Sequence, residues 1–300
     1  MNPILALIIA NIVWGAASPI FKLSLTNIPP FTLAFVRFFF AAFIFLPFAW
    51  IRWQRMSRRD LFNIIIGAFF GITINIAFFF LGLPLTESIN APMIASSAPV
   101  FLFILSIIYF KEKPKVKVFK GMLLSLIGVL IIILAPVLLA GQKLAIGEIE
   151  GNLFFVIATI GAVFNPLFTK NALKNINIFQ VTFVGFFFSA LTFFPLMYKE
   201  LDIWNFNMIN GAGWLGIIFG VFFSSALAYF LYNFGIEKIK TQEIGIFNYI
   251  SPVIAVIVAI PLLHEYPSIY FFIGSILVFS GIYFSEGRLH YHPFNGLKRK

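Results

Sequence analysis

Long apolar runs dominate the chain, each broken by a short polar or proline-bearing segment. They predict helices over Pro3–Phe21, Phe31–Ile51, Leu61–Leu83, Ser88–Phe110 and Val118–Leu139. A second set covers Gly151–Thr169, Ile178–Met197, Gly211–Phe234, Ile244–Leu263 and Ser268–Phe284. Run lengths of about 17–25 residues suit a helix crossing a bilayer core. The runs are continuous, without the alternation of a barrel wall, so strands are excluded. Breaks fall at Asn27-Ile28-Pro29-Pro30, Ser57-Arg58-Arg59-Asp60, Lys111-Glu112-Lys113-Pro114 and Gly141-Gln142-Lys143. The first run has no basic segment ahead of it, so it is expected to stay as the first span rather than leave as a signal peptide.

Composition agrees with this pattern. The 300 residues are 61% apolar and 11% charged, with 42 Phe, against roughly 25% charged in soluble domains. A net charge of +10 raises the question of nucleic acid, but the charges occupy short loops between apolar runs. With the N-terminus cytoplasmic, the inner segments hold Arg52, Arg55, Arg58, Arg59, Lys111, Lys113, Lys115, Lys117, Lys120, Lys170, Lys174, Lys238, Lys240, Arg288, Lys298, Arg299 and Lys300. The outer segments hold only Lys22, Lys143 and Lys199. That asymmetry predicts a multi-pass protein of the cell (inner) membrane with both termini cytoplasmic. Cysteine is absent, which excludes a disulfide framework or a cysteine metal site.

The two halves share a punctuation. Gly82 and Gly235, Pro99 and Pro252, Glu112 and Glu265, Pro114 and Pro267, Gly121 and Gly274, and Gly128 and Gly281 all stand 153 positions apart. Gly67 with Gly216 and Gly71 with Gly220 stand 149 apart, so a four-residue insertion in the second half reconciles the two frames. Five spans per half is an odd number, so the second half enters the membrane from the opposite face. The expectation is an all-α integral membrane fold of ten transmembrane helices. Residues 3–139 form one five-helix repeat, 151–285 its inverted copy and 286–300 a basic cytoplasmic tail beside anionic lipid. Inverted repeats are the construction of many secondary transporters, with the solute site near the midplane.

Several segments carry a family resemblance. Trp14-Gly15-Ala16-Ala17-Ser18-Pro19 ahead of Lys22 is one, and Pro30-Phe31-Thr32 leading to Arg37-Phe38 another. Ala98-Pro99 before Lys111-Glu112-Lys113-Pro114, and Gly121 with Gly128, add to them, and the second half repeats the pattern at Ser251-Pro252 and His264-Glu265. Over about residues 3–285 the chain resembles drug/metabolite transporters with EamA-type domains. The resemblance implies ten helices around a central cavity and transport of amino acids or other small organic metabolites, often outward. Small four-helix multidrug relatives use a membrane Glu in their first helix for proton coupling. This first helix has no acidic residue, so that mechanism does not carry over.

Polar groups within spans usually face a bundle interior or a wet cavity. Asn11, Trp14, Ser18 and Lys22 share one helical face. Trp14 lies too deep for the interfacial belt assigned to Trp50, Trp53, Trp204 and Trp214, and so lines a cavity or packs helices. Asn75, beside Gly71 and Phe79, and Tyr229, near Ser224, Ser225 and Tyr232, are candidates because amide and phenol need partners in apolar surroundings. The glycine stripes read as close helix contacts. Ser96-Ser97-Ala98-Pro99, Asn248-Tyr249-Ile250-Ser251-Pro252 and Asn165-Pro166 place prolines within spans beside hydrogen-bonding side chains. There Pro99, Pro166 and Pro252, with Pro19 of the first helix, form gating kinks or static bends. Arg37, the one full charge inside a span, lies about 9 Å from its helix start. It holds a solute anion, snorkels outward, or pairs with Glu87. Lys22 and Lys170 read first as helix-end anchors, and Glu112 and Glu265 as loop organisers.

The sum is a carrier with an aromatic, amide-rich and nearly uncharged cavity lined from the first, third, fourth, sixth, eighth and ninth helices. It is expected to be an exporter working by alternating access. No cofactor, metal or nucleic acid is expected; partners are a small-molecule solute and membrane lipid, and a monomer is compatible. No phosphate-binding Gly-rich loop is present, so ATP drive is excluded. A flippase for lipids or amphiphilic drugs is the nearest alternative, then a channel or facilitator. An enzyme is disfavoured: His264, His290 and His292 lie at helix ends or in the tail, and no acidic pair meets within a span.

Overall fold

The computed structural model describes residues 1–101, 116–140, 146–239 and 245–286, and every regular element among them is helical. The helices are α1 (Pro3–Ser24), α2 (Pro30–Ile51), α3 (Arg58–Gly82), α4 (Asn90–Ala95) and α5 (Val116–Ala140). They continue with α6 (Ile146–Ala172), α7 (Ile178–Glu200), α8 (Gly211–Lys238), α9 (Ile250–Leu263) and α10 (Ile269–Glu286). Six of them, α1, α2, α3, α6, α7 and α8, are long and apolar enough to cross a membrane. Shorter apolar stretches occupy Phe119–Leu134, Phe247–Leu263 and Ile269–Phe284. Glu112, the Gly141-Gln142-Lys143 break and the basic tail lie outside the described residues.

Side-chain caps fix several helix starts. Asn2 Oδ1 accepts from Ile4 N at 2.9 Å, with Pro3 at the first helical position, where its missing N–H costs nothing. Ser57 and Asp60 cap α3 reciprocally, which moves its start back from Leu61 to Arg58. The start of α2 has no side-chain cap of its own. Instead the Glu200 carboxylate, at the end of α7, accepts from Phe31 N at 3.1 Å, Thr32 N at 2.6 Å and Thr32 Oγ1 at 2.8 Å. A negative group there suits both the orphan amides and the helix dipole.

Two stretches are wound as π-helix, Phe69–Ile74 inside α3 and Phe219–Leu227 inside α8. They fall at matching places under the 149-residue offset. The expected fourth helix is interrupted: α4 ends at Ala95, Ser96 and Ser97 form a turn, and the chain is helical again over 98–101. Pro99 therefore sits at the start of a helical stretch rather than in the middle of one. The same correction applies to Pro252, in the first turn of α9 after a 3-10 turn over Gly245–Tyr249, where its missing N–H leaves no ladder bond unmade. Pro19 and Pro166 do lie inside α1 and α6.

Packing joins the halves. α1 lies against α8 and α9, α6 against α3 and α4, α2 along α7, and α5 along α10. Gly128 and Gly274 set the closeness of α5 and α10: a Cβ on either would stand 2.6–2.7 Å from the other's carbonyl oxygen. Small residues at such crossings let backbones approach where no hydrophobic force drives association. Gly216 and Gly220 do the same for α8, against Ser24 and against Phe21 with Arg37. The Phe content is used between α2 and α7, where Phe38 packs on Phe186 and Phe193 at ring separations of 5.5 and 6.1 Å. Trp50, Trp53 and Trp214 are exposed, but Trp204 is not an interfacial anchor. It is 7% exposed and donates its indole N–H to Asn27 O at 2.8 Å, tying the α1–α2 and α7–α8 loops together.

Candidate functional site

The halves meet around a cavity of about 230 Å³. Its wall comes from α1, α3, α4, α6, α8, the turn leading into α9 and, through Arg37, α2. Of the residues singled out in the sequence, Asn11, Trp14, Arg37, Asn75, Asn165, Tyr229 and Asn248 line it. Ser96, Ser97 and Tyr249 are not in the lining. Ser96 Oγ donates to Pro92 O at 2.9 Å and Ser97 Oγ to Ile94 O at 2.6 Å, so both hydroxyls turn back onto their own chain at the α4 break. The Tyr249 ring packs edge-on against Phe279 of α10.

Trp14 is held on three sides. Its indole N–H donates to Ser224 O at 3.1 Å, and its ring meets Tyr229 at 5.1 Å and Tyr232 at 4.9 Å. Asn75 Nδ2 donates to Ala158 O at 2.8 Å, linking α3 to α6. Asn75 and Ser224 are 149 positions apart, so matching residues just beyond or within the two π stretches each reach the helix that opens the other half. Such stretches recur at functional sites because they displace a residue from the regular ladder. Ser251 Oγ donates to Asn11 O at 2.9 Å, and a Cβ on Gly15 would stand 2.5 Å from Ser251 O, so α1 and the start of α9 are in close contact.

Arg37 neither snorkels nor pairs with Glu87. It is 1% exposed, with Nε donating to Ser225 Oγ and Nη2 to Ser224 Oγ, both at 3.1 Å. Its guanidinium lies over Phe21 at 4.6 Å, Phe38 at 4.7 Å and Phe80 at 5.6 Å. The reason is spatial: aromatic rings and two hydroxyls from α8 enclose it within the bundle. Ser18, Arg37 and Asn165 line the same cavity, and Ser18 Oγ, Arg37 Nη1 and Asn165 Oδ1 are buried without a hydrogen-bond partner among the described residues. Phe21, Phe155, Thr159 and Pro92 also line it and had no signal of their own within apolar runs. One signal was present for Ser18: Pro19 and Pro166 stand 147 apart, a frame that carries Ser18 onto Asn165.

Above the cavity, Lys22 Nζ bonds Glu265 Oε1 at 2.6 Å and Thr86 O at 2.7 Å. Glu265 Oε2 accepts from Ser88 N at 2.8 Å and Ser88 Oγ at 2.6 Å. The ends of α1 and α9 and the loop before α4 are thereby joined. Burial pushes the nearby Glu87 carboxyl up to about 7, with Glu265 and Glu148 adding to the shift and Lys22 opposing it.

Comparison with known proteins agrees with this architecture. The EamA-like transporter family matches residues 1–134 and again 149–286. The chain belongs to the EamA-like transporter family. The EamA-like chain is 25% identical to the uncharacterized transporter YetK of Bacillus subtilis, over 94% of its own length and 86% of that protein. It is also 25% identical to an uncharacterized transporter of Archaeoglobus fulgidus, over 95% and 98% of the two chains. A solved crystal structure superposes with a TM-score of 0.66 at 16% identity, covering 96% of this chain and 98% of that one, a likeness of fold alone. With its apolar spans, family membership makes the chain a multi-pass membrane transporter.

Proposed function

We propose that this EamA-like chain is a secondary carrier exporting small organic metabolites, amino acids among them, by alternating access through the central cavity. In this reading its ten spans form two inverted five-helix repeats, 3–139 and 151–285, with both termini cytoplasmic. One observation carries it: exchanging α1–α5 for α6–α10 leaves the main packing partnerships unchanged. α1 on α8 and α9 becomes α6 on α3 and α4, while α2 with α7 and α5 with α10 map onto themselves. Two inverted copies give inward- and outward-open states of similar energy around one site. The cavity, lined by Asn11, Trp14, Asn75, Asn165 and Tyr229, lies where those copies meet. Its size is below the roughly 300–1,000 Å³ of drug-sized sites, which supports a small metabolite as solute.

The test is uptake into liposomes holding the purified protein, with a panel of labelled amino acids and with and without a pH gradient. Saturable uptake of one class, lost in Asn75→Ala while the protein stays folded, is the expected result. No flux of any amino acid under either condition would contradict the amino-acid reading and direct the search to nucleosides, sugars and labelled lipids.

A further inference from the structure

The cavity presents one full positive charge, Arg37, and no carboxylate among the described residues that line it. Two hydroxyls hold Nε and Nη2, and the ring faces of Phe21 and Phe38 fix the plane of the guanidinium. Its orientation is therefore set, and Nη1, buried at the edge of the cavity, is the nitrogen without a hydrogen-bond partner. Hydroxyls and rings solvate the cation without neutralising it. A buried charge of this kind is costly in a membrane protein, and it is usually paired. Glu265, an acidic group on the outer side, is engaged with Lys22 and Ser88 instead.

We propose that Arg37 is the anion anchor of the cavity, and that the carried solute bears a single carboxylate docking on Nη1. This rests on the carrier reading above and names the chemistry its site selects. One guanidinium with one unpartnered nitrogen matches a monoanion; a dianionic phosphate ester calls for several cations, and Arg37 is the one cation in this wall among the described residues. Trp14, Phe79 and Phe155 suit an apolar or aromatic body, and Asn165 Oδ1 is an acceptor for a donor group on it. The contact is also placed to be felt by the helices. Ser224 accepts from Arg37 through its hydroxyl and from Trp14 through its carbonyl, so an anion drawing on Nη1 loads α1, α2 and α8 at once.

The experiment uses the full-length protein in liposomes, with 3-phenylpropanoate, its primary amide and phenyl phosphate as probes beside the amino-acid panel. Saturable binding and uptake of the carboxylate are expected, with the amide roughly ten- to hundredfold weaker. Arg37→Gln is expected to abolish that preference and Arg37→Lys to retain part of it. Should Arg37→Gln fail to fold, the carboxylate and amide pair on the unaltered protein decides. Equal handling of carboxylate and amide, tighter binding of phenyl phosphate, or a carboxylate preference surviving in Arg37→Gln would overturn the proposal. Carriage of the amide and of neutral solutes would sink the anion anchor while leaving the carrier intact. No flux or binding of any probe or amino acid would sink both.

Discussion

Trp14 of α1 donates its indole N–H to the backbone oxygen of Ser224 at 3.1 Å, within the π-wound part of α8. The indole of one half thus bonds a backbone carbonyl inside the π-wound segment of the other. Trp14→Phe keeps an aromatic body against Tyr229 and Tyr232 but removes the donor. Its expected cost is about 1 kcal/mol of stability, seen as a melting temperature lower by a few degrees in detergent, with weakened solute affinity. An unchanged melting temperature and affinity would mean that the hydrogen bond contributes nothing.

Gly128 and Gly274 let α5 and α10 touch backbone to backbone. Gly128→Val is therefore expected to force the pair apart at about 1–3 kcal/mol, measurable as thermal destabilisation of the purified protein. Gly147→Val is the control, since a Cβ there meets nothing within 4 Å.

Glu200 closes the start of α2 from 168 residues away. Glu200→Ala leaves the amides of Phe31 and Thr32 without their carboxylate, and the loss is expected to be about 1–2 kcal/mol, again by thermal melting. Glu200→Gln keeps one acceptor and is expected to lose less.

The junction of Lys22, Glu265 and Ser88 is expected to respond to pH through the neighbouring Glu87. Burial raises its carboxyl from 4.5 to about 7, so an arrangement that buries Glu87, the closed form, holds the proton more tightly than one that opens it to water. Closure is therefore favoured fully below about pH 4.5 and loses that contribution as pH rises towards 7. Accessibility of a cysteine placed at Thr86 to an outside thiol reagent should increase across that window and become flat in Glu87→Gln. A slope that persists in Glu87→Gln would assign the response to another group.

Six long apolar helices were legible because a membrane span must be long and continuous; the start of α3 shifted where Ser57 and Asp60 drew in polar residues. Close helix contact was legible at the glycine stripes, Gly71 meeting Asn165 and Gly216 meeting Ser24. The partners of Arg37 were not, because Ser224 and Ser225 come from 187 and 188 residues away and an apolar run does not say which hydroxyls it will meet. Neither were the π stretches at Phe69–Ile74 and Phe219–Leu227, whose residues look like the rest of their apolar runs. Ser96 and Ser97 misled because a hydroxyl beside a proline looks the same whether it faces a cavity or its own backbone.

Solute counterflow tests the carrier most directly. Liposomes containing the protein are loaded with a high concentration of an unlabelled solute from the class found by uptake, then diluted into a trace of the same solute labelled. An alternating-access carrier is expected to draw label inward to a transient level above equilibrium, with the overshoot lost in Asn75→Ala. Label that only rises to equilibrium, without overshoot and without saturation, would contradict the carrier and indicate a channel.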